Sequence, residues 1–274
     1  MQWTVHFRYA SPSPPLQHEP AVRRTEAEGN ATRRTHVAEG MSGQLVREGH
    51  TGTGPGPITP DGCAVQLYTR LSVGSEPDVI GAALPPGASV LELGCGAGRV
   101  THPLVALGFA VTAVDESAQM LESVRGARTV LSSIEGLDLG EERFDAVVLG
   151  SFLVHTSDHR VREGLLGTCA RYVKDDGVVL IQREGADYHS DVPREREDPA
   201  AGCTIRILSA DPVGDGVDEV RVEYVFEDAR WTQTFRSREL SVERFEAYLA
   251  QAGLAVDRYL TPDGVWVLAR LNRA

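Results

Sequence analysis

The residues most able to do chemistry are crowded into Val90-Leu91-Glu92-Leu93-Gly94-Cys95-Gly96-Ala97-Gly98-Arg99-Val100. Glycine stands at every second position of a turn that ends an apolar, strand-like run and opens a helix-like one. Glycine there permits positive φ and lets a ligand lie against bare backbone. The amides of such a loop, with the helix N-terminus behind them, suit a carboxylate or another polarised group. Glu92, two residues ahead of the loop, can neutralise an ammonium, directly or through a water. Asp115 closes the next apolar run, Val111-Thr112-Ala113-Val114, and a carboxylate there can accept from two neighbouring hydroxyls at once. Capping the helix that starts at Ala118 is the plainer reading of Asp115, and Ser117 can share that work.

A dinucleotide site requires G-x-G-x-x-G, and counted from Gly94 that pattern needs glycine where Arg99 stands. A dinucleotide also offers no ammonium for Glu92. Two acids around a glycine turn fit a nucleoside that carries an amino acid, S-adenosylmethionine. Glu92-Leu93-Gly94-Cys95-Gly96-Ala97-Gly98 resembles motif I of the class I methyltransferases, with Asp115 where that family holds the two ribose hydroxyls. The resemblance covers roughly residues 60–271. It implies an α/β, Rossmann-like methyltransferase fold: a mostly parallel seven-stranded sheet with helices on both faces, plus an antiparallel β cover. It implies S-adenosylmethionine as cofactor, with Glu92, Gly94, Gly96, Gly98, Asp115 and Glu116 among the binding residues. Many relatives place an acid before a small residue to bracket the adenine; here the run is Ser132-Ser133-Ile134-Glu135. Ser133 therefore takes the place of the acid and Ile134 stacks on the ring, while Glu135, one residue further along a strand, faces the other way. Relatives often close a tyrosine over the methionine part, a role for Tyr68, which otherwise reads as a core aromatic.

The acceptor side lies past Phe144-Asp145-Ala146-Val147-Val148-Leu149-Gly150-Ser151-Phe152-Leu153-Val154-His155. Carboxyl ends of parallel strands line the site in such folds, which directs Ser151 and His155 at cofactor or acceptor. The Asn/Asp-Pro-Pro-aromatic turn of adenine-methylating enzymes is missing here. Methyl transfer from a sulfonium needs alignment above all, and a base only for a hydroxyl or protonated amine. His155 is the candidate catalytic base; orienting a substrate, or capping the helix near Asp158, is its alternative. Gln182, Arg183 and Glu184 border the acceptor region by topology. Trp231, Gln233 and Phe235 share one strand face, either as a lid or as packing. The expected reaction is methylation of an N or O atom of a small, specialised metabolite. A peptide or protein methyltransferase and a non-catalytic cofactor-binding scaffold are the alternatives.

These groups need a frame. Strand-like runs at 89–93, 110–114, 129–131, 144–149 and 178–183 alternate with helix-like runs at 100–107, 118–124 and 159–173, the rhythm of parallel strands with right-handed crossovers. Ahead of them Thr59 or Asp61 is placed to cap a helix through Leu71, and a second helix spans 77–84. Later come three strands with short turns (203–208, 219–227, 230–235), a helix at 242–252 capped by Ser241, and a hairpin of strands 255–260 and 265–271. Residues 1–57 are polar and rich in Pro and Gly, and read as a disordered extension or a misassigned start, with the domain at 58–274.

The net charge of −12 repels polyanions, which argues against nucleic acid or an anionic membrane as partner. No run approaches the roughly 18 apolar residues of a membrane span, and Met1–Ala10 lack a secretory apolar stretch, so the expectation is cytoplasmic. Cys63, Cys95, Cys169 and Cys203 are widely spaced and read as reduced thiols rather than metal ligands.

Overall fold

The computed structural model describes residues 47–272. Among the described residues there are two sheets. The larger contains β2 (Ser89–Leu93), β3 (Ala110–Asp115), β4 (Arg128–Leu131), β5 (Phe144–Leu149), β6 (Val173–Gln182), β11 (Leu254–Tyr259) and β12 (Trp266–Leu271), in the order β11-β12-β6-β5-β2-β3-β4. Strands β2 to β6 pair in parallel, and the β11–β12 hairpin adds antiparallel to β6. The period of two in these strands sends successive residues to opposite faces. Leu91, Val147 and Ile181 pack on one side with α5 (His159–Tyr172) and α6 (Val242–Gln251). Val90, Val148 and Leu180 pack on the other with α2 (Glu76–Ala83) and α3 (Thr101–Ala106). Both faces are covered, as a parallel sheet requires. A short α4 (Ala118–Leu121) starts where Ser117 Oγ accepts from the Met120 amide at 3.2 Å. Ser241 caps α6 in the same way, accepting from the Arg244 amide.

The second sheet is antiparallel and runs β1-β10-β9-β8-β7. Its strands are β1 (Thr51–Thr53), β7 (Arg194–Asp198), β8 (Cys203–Gly214), β9 (Val217–Phe226) and β10 (Arg230–Arg238). The expected cover has three strands; the structure adds one at each edge. Strand β7 is Arg-Glu-Arg-Glu-Asp, with no apolar alternation for a sequence reading to find. Strand β1 lies in the expected tail. Residues 47–57 are in fact built into the fold: β1 pairs with β10, and Trp231 Nε1 donates to the Pro55 carbonyl at 2.9 Å. The rest of that tail, residues 1–46, lies outside the described residues.

The helix expected from residue 59 or 61 to 71 shrinks to α1, Val65–Tyr68. Asp61 does not cap it. Its carboxylate instead accepts from the Thr59 hydroxyl, the Cys63 amide and the Cys63 thiol, closing a tight turn. All four cysteines are free thiols. Among the described residues no helix is long and apolar enough to cross a membrane.

Candidate cofactor and acceptor site

At the carboxyl end of β2 the chain enters the glycine loop. Gly94, Gly96 and Gly98 have φ of +74°, +54° and +87°, but their surroundings differ. A Cβ on Gly94 would lie 2.8 Å from Leu153, and one on Gly98 would lie 2.8 Å from His102. Those two glycines are needed for packing as well as for φ. A Cβ on Gly96 would meet nothing nearer than Tyr68 at 4.0 Å, because this residue faces a cavity. The loop amides do not face a ligand, as expected from the sequence, but turn inward. Gly94 and Cys95 both donate to the Val114 carbonyl at 2.9 Å, Gly98 donates to Cys95, and Gly96 donates to Asp115 Oδ2 at 2.8 Å. What the loop presents is bare Cα surface.

Asp115 ends β3 beside that loop. Its second oxygen accepts from the Ser117 amide at 2.8 Å, so it braces the turn ahead of α4 while lining the cavity. Burial raises its pKa, and the two amide bonds oppose that shift. A carboxylate offers about four acceptor sites, so two remain.

The cavity measures about 760 Å³, within the roughly 300–1,000 Å³ of small-ligand sites. Gly94, Gly96, Asp115, Glu116, Ser133 and Ile134 line its Rossmann side. Ile205, Val222, Tyr224, Gln233 and Phe235, from the antiparallel sheet, line the opposite side. Tyr68, Ser151 and His155 also border it. Two of the expected cofactor-binding residues do not. Gly98 is turned into packing against His102. Glu92 is set back, 5% exposed, with Thr101 Oγ1 donating to its Oε2 at 2.6 Å. It opens onto a niche of about 20 Å³ whose wall includes Gly94, Arg99 and Ser151, all three of which also line the large cavity. That volume suits a single water, so the water-mediated route for Glu92 is the one its position allows. Burial pushes Glu92 up to about 7, against the Thr101 bond and the Arg99 charge.

Past β5 the chain turns through Ser151 and Phe152, both with left-handed φ (+52° and +59°). Non-glycine residues there carry strain of about 1–3 kcal/mol each. The Ser151 amide is held by Gln182 Oε1 at 2.8 Å. A 3₁₀ turn, Leu153–His155, follows. His155 is buried with both ring nitrogens engaged: Nδ1 lies 2.8 Å from the Arg238 carbonyl and 2.9 Å from Glu184 Oε2, and Nε2 accepts the Glu184 amide at 3.0 Å. With Nε2 accepting the Glu184 amide and Nδ1 facing two oxygens, no lone pair is left for a substrate proton. These contacts are all to protein groups, so the ring is held for neither a base's work nor direct orientation of a substrate, and Asp158 rather than His155 caps α5.

What His155 orients is Glu184. Oε1 of Glu184 accepts from Ser237 Oγ at 2.7 Å, Oε2 also meets His189 Nε2 at 2.8 Å, and His189 Nδ1 reaches Asp218 at 2.7 Å. Burial pushes the Glu184 pKa up, but the bonds from His155, His189 and Ser237 outweigh it and hold the group ionised. Burial lowers His189, but its two carboxylate neighbours carry it above the ordinary histidine value. Gln182 and Glu184 line the cavity, whereas Arg183 alternates away to the Leu240 carbonyl and the Phe245 ring. On β10, Gln233 and Phe235 line the cavity, while Trp231 is packed edge-on against Phe226. Sequence reasoning missed Arg47, Asp61 and Cys63 on the cavity wall and His189 behind it. No local spacing marks them.

Residues 91–181, from β2 to β6, match the family model described as a methyltransferase domain. A ubiquinone biosynthesis O-methyltransferase of Caulobacter vibrioides is 32% identical over 116 residues, 37% of this chain and 43% of that protein. An uncharacterised methyltransferase of Mycobacterium tuberculosis is 39% identical over 93 residues, 32% of this chain and 38% of that one. The chain thus spans less than half the length of these curated relatives. Among solved structures, an S-adenosylmethionine-dependent methyltransferase from Clostridium acetobutylicum gives a TM-score of 0.61 at 18% identity, covering 76% of this chain and 97% of that one. The sugar N-methyltransferase KedS8 from Streptoalloteichus gives 0.59 at 19% identity, covering 93% and 100%. The fold is the Rossmann-like methyltransferase fold. The methyltransferase-domain match over β2 to β6 agrees with that fold.

Proposed function

We propose that this chain transfers a methyl group from S-adenosylmethionine to an N or O atom of a small molecule held beneath the antiparallel sheet. One observation carries the reading: a single hollow joins the bare face of Gly96 and the Asp115 carboxylate to a second chamber under β8, β9 and β10. The residues present fit the cofactor. A Cβ at position 96 would project into the cavity, and Asp115 keeps acceptor sites for paired hydroxyls. In this reading Asp115 and Glu116 hold the ribose, Ser133 and Ile134 border the adenine, and Tyr68 and Ser151 flank the amino-acid end. Glu92 serves its ammonium through the niche. The cofactor supplies a methyl on a sulfonium, a good leaving group.

The protein's part is then orientation. Glu184, ionised and fixed by three donors, can accept from an N–H or O–H of the acceptor and so aim its lone pair. His155 holds Glu184 in place instead of taking the proton itself. The roof of five paired strands favours a small acceptor over a peptide, which needs an open groove. Gln233 offers polar recognition, and Phe235, Tyr224 and Ile205 offer apolar surface.

Isothermal titration with S-adenosylhomocysteine tests the cofactor reading, and folded protein that gives no binding heat rejects it. Asp115→Ala should weaken binding about ten- to a hundredfold, the worth of one or two charge-assisted hydrogen bonds. A screen of amines and phenols for a one-methyl mass gain tests the acceptor reading.

A further inference from the structure

We infer that Arg47 is a latch over the adenosine end of the cavity, a positioning residue contributed from outside the Rossmann sheet. The inference rests on the cofactor reading above. Arg47 Nε and Nη2 grip the two oxygens of Glu116 at 3.1 and 2.9 Å, and Nη1 reaches Glu135 at 3.2 Å. Glu116 follows β3 and Glu135 lies past β4, so one guanidinium ties the loop after β3 to the loop that carries Ser133 and Ile134. Arg47 itself lines the cavity. The bidentate fork is a geometry arginine makes and lysine does not.

The chain around Arg47 is built as an arm with its root at β1 and a tip at Arg47 that reaches the two loops. At the root, β1 pairs with β10, and Gly52 crosses Gly62 so closely that a Cβ on Gly52 would lie 2.0 Å from the Gly62 carbonyl oxygen. Toward the tip, the Arg47 amide donates to the Pro60 carbonyl and the His50 amide donates back to Arg47. Among the described residues Glu48 also pairs with Arg236 and His50 Nδ1 lies 3.3 Å from the Asp61 carbonyl, while the contacts to the adenosine loops are those of Arg47 with Glu116 and Glu135, whose side chains remain a fifth to a quarter exposed. Releasing Arg47 therefore frees the tip from both adenosine loops without disturbing the β1–β10 ladder. Two acids that face one cation would also repel each other once it leaves. Opening for cofactor exchange and closing over bound nucleoside are the two states this arrangement allows.

The test is the dissociation rate of S-adenosylhomocysteine from the full chain, measured by stopped-flow competition at low and high salt. Arg47→Ala is expected to release it about fivefold faster or more, the worth of partly exposed ion pairs. The wild-type rate should rise with salt while the variant's rate does not, since partly exposed charges are screened. Arg47→Lys should restore only part of the slow release, and Glu135→Gln should fall between wild type and Arg47→Ala. Wild-type binding combined with an unchanged rate and salt response in Arg47→Ala overturns the latch alone. Absence of binding by folded wild type overturns the cofactor reading and the latch with it. A loss of thermal stability in Arg47→Ala without faster release also overturns it, because that is the mark of a merely structural ion pair.

Discussion

At the scale of single residues, the two acids of the proposed cofactor site are not equivalent. Asp115 borders the open cavity, whereas Glu92 sits behind a niche the size of one water and is pushed by burial up to about 7. An ammonium-bearing ligand prefers Glu92 ionised, and below pH 7 binding must first expel its proton. Affinity for S-adenosylhomocysteine should therefore climb between pH 6 and pH 8, by up to about tenfold per unit on the acid side. Titration calorimetry across that range checks it, and Glu92→Gln should flatten the profile. A profile unchanged in Glu92→Gln would remove Glu92 from the amino-acid end. His155 teaches the converse. The sequence presents a histidine at the mouth of a strand, a reasonable base, yet its lone pair is spent on the Glu184 amide. Nothing in residue type or spacing announces that.

At the scale of elements, the parts with a local signature form largely where expected. Strands β2, β3 and β5 carry largely apolar runs bounded by turn residues, and α5 and α6 carry N-caps at Asp158 and Ser241. The elements that escaped are those stabilised by a partner and not by their own pattern: β1, a Thr-Gly-Thr, and β7, all charged. β1 depends on close backbone approach at Gly52, where φ is ordinary but there is no room for a side chain. Gly52→Ala should thus displace β1 and cost about 1–3 kcal/mol through overpacking against backbone. Urea unfolding measures this directly. A variant as stable as wild type would mean the crossing of β1 over the 59–63 turn is looser than drawn.

At the scale of the whole molecule, the Rossmann-like half and the antiparallel cover meet at one charged cluster. Glu184 follows β6, His155 follows β5, Ser237 lies on β10 and Asp218 on β9. Glu184 is held below its ordinary 4.5, so its contribution is present above that pH and is lost as pH falls through the folded value. His189 is held above its ordinary 6.5, so its contribution is complete below 6.5 and is lost as pH rises through the folded value. The cluster contributes most between about pH 4.5 and 6.5. Melting temperature against pH should show His189→Gln losing most in that window and converging on wild type at alkaline pH. A pH-independent difference would make the cluster a packing feature and nothing more.

By itself the sequence determined the glycine loop, Asp115 at the end of the next strand, and the alternation that makes a parallel sheet. These are short-range patterns, imposed on the chain by backbone sterics and by strand and helix periods. Only the tertiary structure decided that the loop amides turn inward, that the His155 lone pair is spent on the Glu184 amide, and that Arg47 reaches partners 69 and 88 residues away. Such contacts are chosen by which surfaces the fold brings together, and no spacing along the chain encodes them.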